Sequence, residues 1–484
     1  MNAREVLHLV GALLVWTAAA MLPSIVLAAG EGLFLPWLAA GAIPALTGGL
    51  AWAATPGKVD LNLREGMAVV SLSWIVITLA GSLPFIFTGT TTNAVMAIFE
   101  SVSGFTTTGS SVFADVDALP RSILLWRSVS QWVGGMGMIV LGVAILPLLG
   151  VGGVQLFQAE ASGITTDRLQ PRIAATARLL WVVYAALTAG FSVTFAVAGM
   201  SWFDALNHAM TALATGGFST RTASLGAYGS TVQWAVVAAM FVGGVNFTLH
   251  YRLANRRWNA WFADTEWRWY AGIALVSVLA VGVTLVPRAG WSGVAVRETV
   301  FNVISISSTT GYATADFGRW PAFCHVVLIG LMFIGGMAGS TAGGLKVVRV
   351  AVVVKHAVDE VRRVLHPRGV FVTKLGRTPV RDELVARVLA YLALYMATHA
   401  AGTLGLTALG LDFLTAVSAT VSCMSSVGPG LGTVGPIAHY GDIGAAAQLV
   451  LAVLMLLGRL EFYTLLVLVV PETWRRAGGD RVVA

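Results

Sequence analysis

The sequence predicts an all-α polytopic membrane protein in which four related helical units follow two N-terminal helices. Three observations lead there. Charged residues make up 11% of the 484-residue chain and hydrophobic ones 57%, whereas soluble proteins carry about 25% charged residues. Ten stretches are apolar and long enough to cross hydrocarbon, which takes about 20 helical residues. They run approximately over 6–29, 33–54, 68–88, 123–149, 174–199, 231–251, 269–286, 322–354, 386–410 and 444–470. Between them a polar, glycine-bearing stretch recurs four times.

Composition narrows the classes. The 54 glycines suit close helix packing and irregular turns at membrane depth. Cys324 and Cys423 both sit in apolar context and read as small buried hydrophobes, with no disulfide or metal framework. The histidines are scattered without metal-ligand spacing, and His208 reads as structural. There is no GxxxxGK[ST] phosphate loop and no intramembrane cluster of His, Asp, Glu or Cys of the kind a polytopic enzyme needs. The expectation is therefore no enzyme and no organic cofactor in this chain. The net charge of +7 reports basic loops on one membrane face rather than a nucleic-acid partner. The first run ends in a signal-like "LAAG", but it is long for a signal and a second run follows, so it reads as a retained helix.

Basic residues set the orientation. With the N-terminus inside, the inner segments collect 22 of them: Arg4, Lys58, Arg64, Arg168, Arg172, Arg178, Arg252, Arg256, Arg257 and Arg268, nine Lys/Arg from Arg349 to Arg387, and Arg475, Arg476 and Arg481. The outer side has only Arg121, Arg127, Arg221, Arg288, Arg297 and Arg319. This is the positive-inside pattern and places both termini in the cytoplasm.

Four outer connections contain a second apolar segment too short to span: 93–106, 203–215, 297–308 and 412–424. Such segments are re-entrant candidates, tolerated where protein or water covers the backbone. Each is followed by a polar turn: "SGFTTTGS" (103–110), "TALATGGF" (211–218), "SISSTTGY" (305–312) and "SCMSSVGP" (422–429). They align on Gly109, Gly217, Gly311 and Gly428, at spacings of 108, 94 and 117 residues. Two residues before each glycine stands a hydroxyl (Thr107, Thr215, Thr309, Ser426), and six before stands another (Ser103, Thr211, Ser305, Ser422). Any one such stretch reads equally as an ordinary outer loop; four in register read as repeated structural units. The expected division is 1–56 for the two extra helices, then units 57–160, 161–260, 261–370 and 371–484.

These residue types suit a dehydrated monovalent cation, which needs oxygens in place of its water. Backbone carbonyls supply them if the chain runs irregularly around a common axis, and glycine reaches the necessary angles. A short helix pointing its C-terminal end at that axis adds a favourable negative dipole. The turns contain no carboxylate, which argues against a divalent-selective acidic ring. The expected architecture is thus four helix–pore-loop–helix units around one central ion pore.

Two further features stand out. The eighth run is interrupted by "GGMAGSTAGG" (335–344), whose five glycines should break the helix near mid-membrane, at about 1 kcal/mol each relative to Ala; close helix packing is the other reading. Arg459 lies inside the last apolar run, where a buried arginine costs about 2.5–3.5 kcal/mol; it reads as half of an interhelical ion pair. For Glu100 and Asp204 two roles stay open, pairing within the short helices or attracting cations.

The four turns, the ten helices, "GGMAGSTAGGLKVVRV" (335–350), "PRIAATARLLW" (171–181) and "SSVGPGLGTVGP" (425–436) together resemble the Trk/Ktr/HKT superfamily of potassium transporters, most closely its bacterial TrkH/TrkG branch, over essentially the whole chain. The resemblance implies a bacterial inner-membrane, multi-pass protein that takes up K⁺ through a gated, channel-like pore. It implies K⁺ sites at Thr107, Thr108, Gly109 and Ser110; Thr215, Gly216, Gly217 and Phe218; Thr309, Thr310, Gly311 and Tyr312; and Ser426, Val427, Gly428 and Pro429. It implies a flexible gate beneath them containing Gly335, Gly336, Gly339, Ser340, Thr341, Gly343, Gly344 and Lys346, with Arg459 beside it. It also implies a homodimer and a cytoplasmic nucleotide-binding ring of the TrkA/KtrA type, docked on the basic stretch 349–387, which otherwise reads as an anionic-lipid contact. Sodium-preferring plant members carry serine in place of the first filter glycine; here Gly109 favours K⁺. A symporter coupled to H⁺ or Na⁺ and a K⁺/Na⁺-permeable transporter are the alternatives.

Overall fold

The computed structural model describes residues 3–55, 63–144, 169–290, 292–376 and 378–466. Lys58, Arg168, Arg377, Arg475, Arg476 and Arg481 lie outside the described residues, as do the run ends 145–149 and 467–470 and the unit boundaries at 56/57 and 160/161. The described residues are mostly helical: α1 Ala3–Ala20, α2 Leu22–Gly30, α3 Phe34–Ala54, α4 Leu63–Phe87, α5 Ala94–Phe105, α6 Arg121–Ala144, α7 Leu169–Val197, α8 Trp202–Leu213, α9 Ser230–Gly243, α10 Phe247–Ala254, α11 Asn259–Ala263, α12 Thr265–Ala289, α13 Gly293–Ser307, α14 Ala322–Ile334, α15 Val347–Leu365, α16 Asp382–Ala408, α17 Phe413–Met424, α18 Ala445–Arg459 and α19 Tyr463–Leu466. A small hairpin between α15 and α16 pairs Lys374–Leu375 (β1) with Thr378–Pro379 (β2), Lys374 opposite Pro379.

The four expected short helices are α5, α8, α13 and α17, and each starts on a capping side chain. Asn93 accepts the Val95 N–H at 2.9 Å, Ser201 that of Asp204 at 3.1 Å, Ser292 that of Ala295 at 3.2 Å and Asp412 that of Thr415 at 3.0 Å. Such caps satisfy N–H groups that the first turn leaves unpaired. Helix α13 begins four residues before the expected start at 297, because Arg297 and Glu298 hide its first turns from an apolar count.

Among the described residues, six helices are long and apolar enough to cross a membrane, or up to seven if one bent pair counts as a span. The shortfall against ten apolar runs comes largely from breaks. The break in 322–354 was expected: α14 stops at Ile334 and α15 starts at Val347. Two others were not. The run 231–251 is two helices, α9 and α10, meeting at 104°. Asn246 caps α10 by accepting the Thr248 N–H at 2.8 Å, and the Phe247 N–H leaves for the Gly339 carbonyl at 3.1 Å. The run 444–470 breaks after Arg459, where Glu461 and Phe462 take φ of 54° and 53°. No glycine or proline stands at 460–462. Tertiary contacts impose the turn instead: Glu461 pairs with Arg349, and the Phe462 ring lies 5.6 Å from those of Tyr391 and Tyr395.

The helix after each turn packs behind the next unit, which closes the four units into a ring. Trp126 and Val129 of α6 share an apolar cluster with Met210 of α8. Met240 of α9 joins Phe301, Ile304 and Tyr312; Met332 of α14 joins Val421 and Val427; Met455 of α18 joins Phe99, Val102 and Val112. Outside the ring, α1 and α3 meet on Gly11 and Gly48, each too close to the other's carbonyl for a Cβ (2.7 Å). Glycine also sets the fit between the short helix and the long helix of its own unit in the first and fourth units. A Cβ on Gly134 would fall 1.8 Å from the Phe105 carbonyl oxygen, and one on Gly458 1.8 Å from that of Met424.

Overpacking a tight contact costs about 1–3 kcal/mol. Gly458→Ala should therefore lower the unfolding temperature in detergent by several degrees. Gly405→Ala, at a helical glycine with nothing within 4 Å, should not lower it.

Candidate ion-binding ring and the loop beneath it

The four short helices end alike. In α5 the Thr107 N–H reaches the Gly104 carbonyl at 3.0 Å and the Thr108 N–H reaches that of Ser103 at 2.9 Å. The same pair of bonds closes α8 (Thr215 to Ala212, 3.1 Å; Gly216 to Thr211, 2.8 Å), α13 (Thr309 to Ile306, 3.0 Å; Thr310 to Ser305, 2.8 Å) and α17 (Ser426 to Cys423, 3.3 Å; Val427 to Ser422, 2.9 Å). This is the Schellman termination, which requires a left-handed residue just past the cap. Here that residue is the aligned hydroxyl rather than glycine: Thr107, Thr215, Thr309 and Ser426 have φ of 53°, 52°, 57° and 54°. A left-handed threonine is sterically unfavourable, at roughly 1–3 kcal/mol. The hydroxyl residue six positions before each glycine has a backbone role: its carbonyl accepts the bond from the residue five positions on, the shorter of the two in every unit.

Gly109, Gly217, Gly311 and Gly428 follow with φ of 84°, 74°, 80° and 104°. They touch one another's units in sequence. A Cβ on Gly109 would lie 2.1 Å from the Gly216 carbonyl oxygen, one on Gly217 1.9 Å from that of Thr310, one on Gly311 1.8 Å from that of Val427 and one on Gly428 2.7 Å from that of Thr108. Unit one meets two, two meets three, three meets four and four returns to one. The four glycines also line a single cleft together with Ser110, Phe218 and Pro429. Tyr312 departs from the pattern: its side chain is fully buried and its hydroxyl bonds Thr211 of α8.

Polar side chains brace this ring from outside. The residue nine before each glycine reaches the outgoing strand in three units. Glu100 accepts the Val112 N–H at 2.8 Å, His208 bonds the Ser219 hydroxyl at 3.0 Å, and Asn302 donates to the Thr314 hydroxyl at 3.1 Å. In the fourth unit that position is Ala419, and Ser418 takes over by accepting the Leu431 N–H at 2.8 Å. Glu100 is also ion-paired with Arg127 at 2.8 Å, both buried. Arg127 donates on to the Ser219 carbonyl at 3.0 Å and lies 4.1 Å from the centre of the Phe218 ring. Asp204 accepts from Thr220 at 2.6 Å and pairs with Arg221 at 3.3 Å. Glu100 and Asp204 are thus structural partners. At the outer surface the Thr222 N–H holds the Asp117 carboxyl below its usual range and ties the first outer loop to the second. Sequence reasoning missed Arg127 and Gln131; their one signal is two large polar groups at i, i+4 inside an apolar helix.

Beneath the ring runs the segment 335–346. Gly335, Gly339, Gly344 and Lys346 have φ of 71°, 74°, 78° and 74°, left-handed values that an α-helix does not accommodate. The Gly343 N–H donates to the Thr309 hydroxyl at 2.8 Å, and the Thr215 hydroxyl donates to that of Thr341 at 3.3 Å. A Cβ on Gly343 would lie 1.9 Å from the Ser425 carbonyl oxygen. The hydroxyls of Thr107 and Ser426 have no partner among the described residues. Gly336 accepts the Val347 N–H at 3.0 Å, and Ser340 donates to the Met337 carbonyl at 2.5 Å. Glu266, fully buried, accepts the N–H groups of Ala338 at 2.7 Å and Val348 at 3.1 Å, and so pins the loop near both ends.

Two cations face this loop. The Lys346 ammonium donates to the Ala342 carbonyl. Arg459, 1% exposed, donates to the Thr341 carbonyl at 2.9 Å and the Gly134 carbonyl at 3.4 Å. It makes no ion pair among the described residues, which removes the reading of Arg459 as half of an interhelical pair; Glu461 pairs with Arg349 instead. Among the described residues no cluster of three His, Cys, Asp or Glu converges; the residues of the four turns offer carbonyl and hydroxyl oxygens.

Fold and ring together define a multi-pass membrane protein in which four short helices converge on one ring of glycine–carbonyl contacts. The chain belongs to the TrkH family of cation transport proteins, whose family model matches residues 38–475. It is 38% identical to the Trk system potassium uptake protein TrkH of Vibrio parahaemolyticus, over 98% of this chain and 100% of that protein. It is 33% identical to the Trk system potassium uptake protein TrkG of Escherichia coli, over 98% and 99%. The crystal structure of the potassium transporter TrkH from Vibrio parahaemolyticus superposes with a TM-score of 0.90 at 37% identity, covering 98% of this chain and 100% of that one.

Proposed function

We propose that the protein takes up K⁺ across the bacterial inner membrane through a gated, channel-like pore. The observation that carries this is the closed ring of four glycines, each preceded by a left-handed hydroxyl residue and each against the next unit's carbonyl. The relatives' names, potassium uptake proteins, support K⁺ as the ion. The carbonyls of Thr107 and Thr108, Thr215 and Gly216, Thr309 and Thr310, and Ser426 and Val427 are the ligands, with the glycine after each pair. Replacing hydration water with such carbonyls is how a cation passes without a charged side chain. The C-terminal ends of α5, α8, α13 and α17 face the ring and add negative potential. Uptake is driven by the membrane potential, about 2.3 kcal/mol per charge per 100 mV.

The loop 335–346 is the gate. Its bonds to Thr215 and Thr309 support this, as does Arg459 seated against Thr341. The buried guanidinium raises a barrier to cations while it holds the loop in place. Each of the segments 57–160, 161–260, 261–370 and 371–484 contributes one quarter of the pore, with both termini cytoplasmic. The protein acts as a homodimer with a nucleotide-binding ring of the TrkA/KtrA type on α15 and the hairpin, where anionic lipid also binds. The designation of the relatives as parts of a Trk system supports a partner.

Coupled symport is the second reading. Coupling usually needs an ionisable group along the pathway, and the four turns have none.

Growth rescue of an uptake-deficient bacterium at low K⁺ tests the proposal, with Gly109→Ser beside the wild type. Wild type should rescue, and the variant should admit Na⁺ at the expense of K⁺; equal selectivity in both counts against the ring as filter. Arg459→Ala should raise K⁺ flux into liposomes severalfold. Unchanged flux with normal expression would sink Arg459's part in the gate, and a reversal potential that follows a pH gradient would favour symport.

A further inference from the structure

The ring's four quarters differ at one place behind the carbonyls. Three residues before Gly134, Gly243, Gly335 and Gly458, on the helix that backs the next unit, stand Gln131, Met240, Met332 and Met455. Three quarters are thus backed by an apolar side chain and the second by an amide. The Gln131 amide nitrogen donates to the Gly216 carbonyl at 2.6 Å, and its oxygen accepts the Phe218 N–H at 3.1 Å. One side chain therefore holds the backbone on both sides of Gly217.

The residue it holds is also the odd one out. Positions equivalent to Gly216 are Thr108, Thr310 and Val427. Gly216 is not among the chain's left-handed glycines, so its backbone does not demand glycine. Space does: a Cβ there would lie 2.4 Å from the Gln131 Cδ. In the other quarters the side chain at this position secures its own strand. Thr108 and Thr310 bond the hydroxyls of Thr106 and Ser308, both at 2.8 Å, and Val427 packs with Met332. The second quarter has two consecutive glycines and no such side chain, which leaves its backbone the most freedom of the four. Gln131 supplies from the first unit what position 216 lacks.

We propose that Gln131 is a specificity-determining residue of the filter, fixing the Gly216 carbonyl at the radius that suits K⁺. This rests on the ring being the filter. Without the amide, Gly216 and Gly217 are free to turn the carbonyl inward around a smaller ion, and discrimination against Na⁺ falls.

The test is the K⁺/Na⁺ permeability ratio of full-length protein in liposomes, read from reversal potentials. Gln131→Glu keeps the shape but replaces the amide donor, and Gln131→Met installs the residue of the other quarters. Each should lower the ratio about fivefold, the worth of one net hydrogen bond, while K⁺ flux persists. Gln131→Met with Gly216→Thr should recover part of the loss, because threonine then fills the vacated space; a purely structural role for Gln131 predicts no such recovery of selectivity. Should the methionine variant fail to fold, the isosteric glutamate carries the test. Wild-type ratios in the Gln131 variants, with an altered ratio in Gly109→Ser, overturn the role of Gln131 and leave the filter standing. An unaltered ratio in Gly109→Ser as well overturns the filter reading itself.

Discussion

Four carbonyl oxygens lie so close to four neighbouring glycine α-carbons that no side chain fits between them. That contact ties each unit of the chain to the next and the fourth back to the first. The rest of the molecule is arranged to make it possible. The chain must leave each short helix in a sharp left-handed turn, and a Schellman termination supplies the turn. It must then run irregular backbone at membrane depth, which is tolerable only where protein surrounds it. The long helices provide that cover, each standing behind the unit that follows its own.

The left-handed hydroxyl residues make the turn strained, and strain of this kind persists only where the surroundings over-determine it. Here they do. Capping side chains fix where the short helices start. Glu100, His208, Asn302 and Ser418 tie them to the outgoing strands, and Arg127 joins the first strand to the second. Glycine at these positions would relax the backbone but remove the hydroxyls. Those of Thr215 and Thr309 are the points where the ring meets the loop below, so a single residue type serves both the turn and the contact with the segment 335–346.

Much of this was legible in the chain. Spacing and hydropathy located all four short helices and all four glycines, because the polar turn recurs four times in register, each time after a short apolar segment. The interruption at 335–344 was legible because five glycines in ten residues weaken a helix, at about 1 kcal/mol each. What was not legible depends on residues far apart in sequence. The turn at Glu461 and Phe462 has no local breaker and exists because Arg349 and two tyrosines of α16 receive those side chains. The bend at Asn246 looked like an ordinary spanning helix, and its freed backbone goes to Gly339. Glu100 found its partner 27 residues away, and Gln131 reaches a carbonyl 85 residues away. The unequal bracing of the four quarters could be seen only once they stood side by side.

The most direct measurement is anomalous diffraction from crystals grown in rubidium, a stand-in for K⁺. If the ring is the filter, rubidium peaks should lie on its axis, between the carbonyls of residues 107–109, 215–217, 309–311 and 426–428, and should vanish when sodium replaces rubidium. Rubidium bound only among the outer carboxylates, with nothing on the axis, would contradict it.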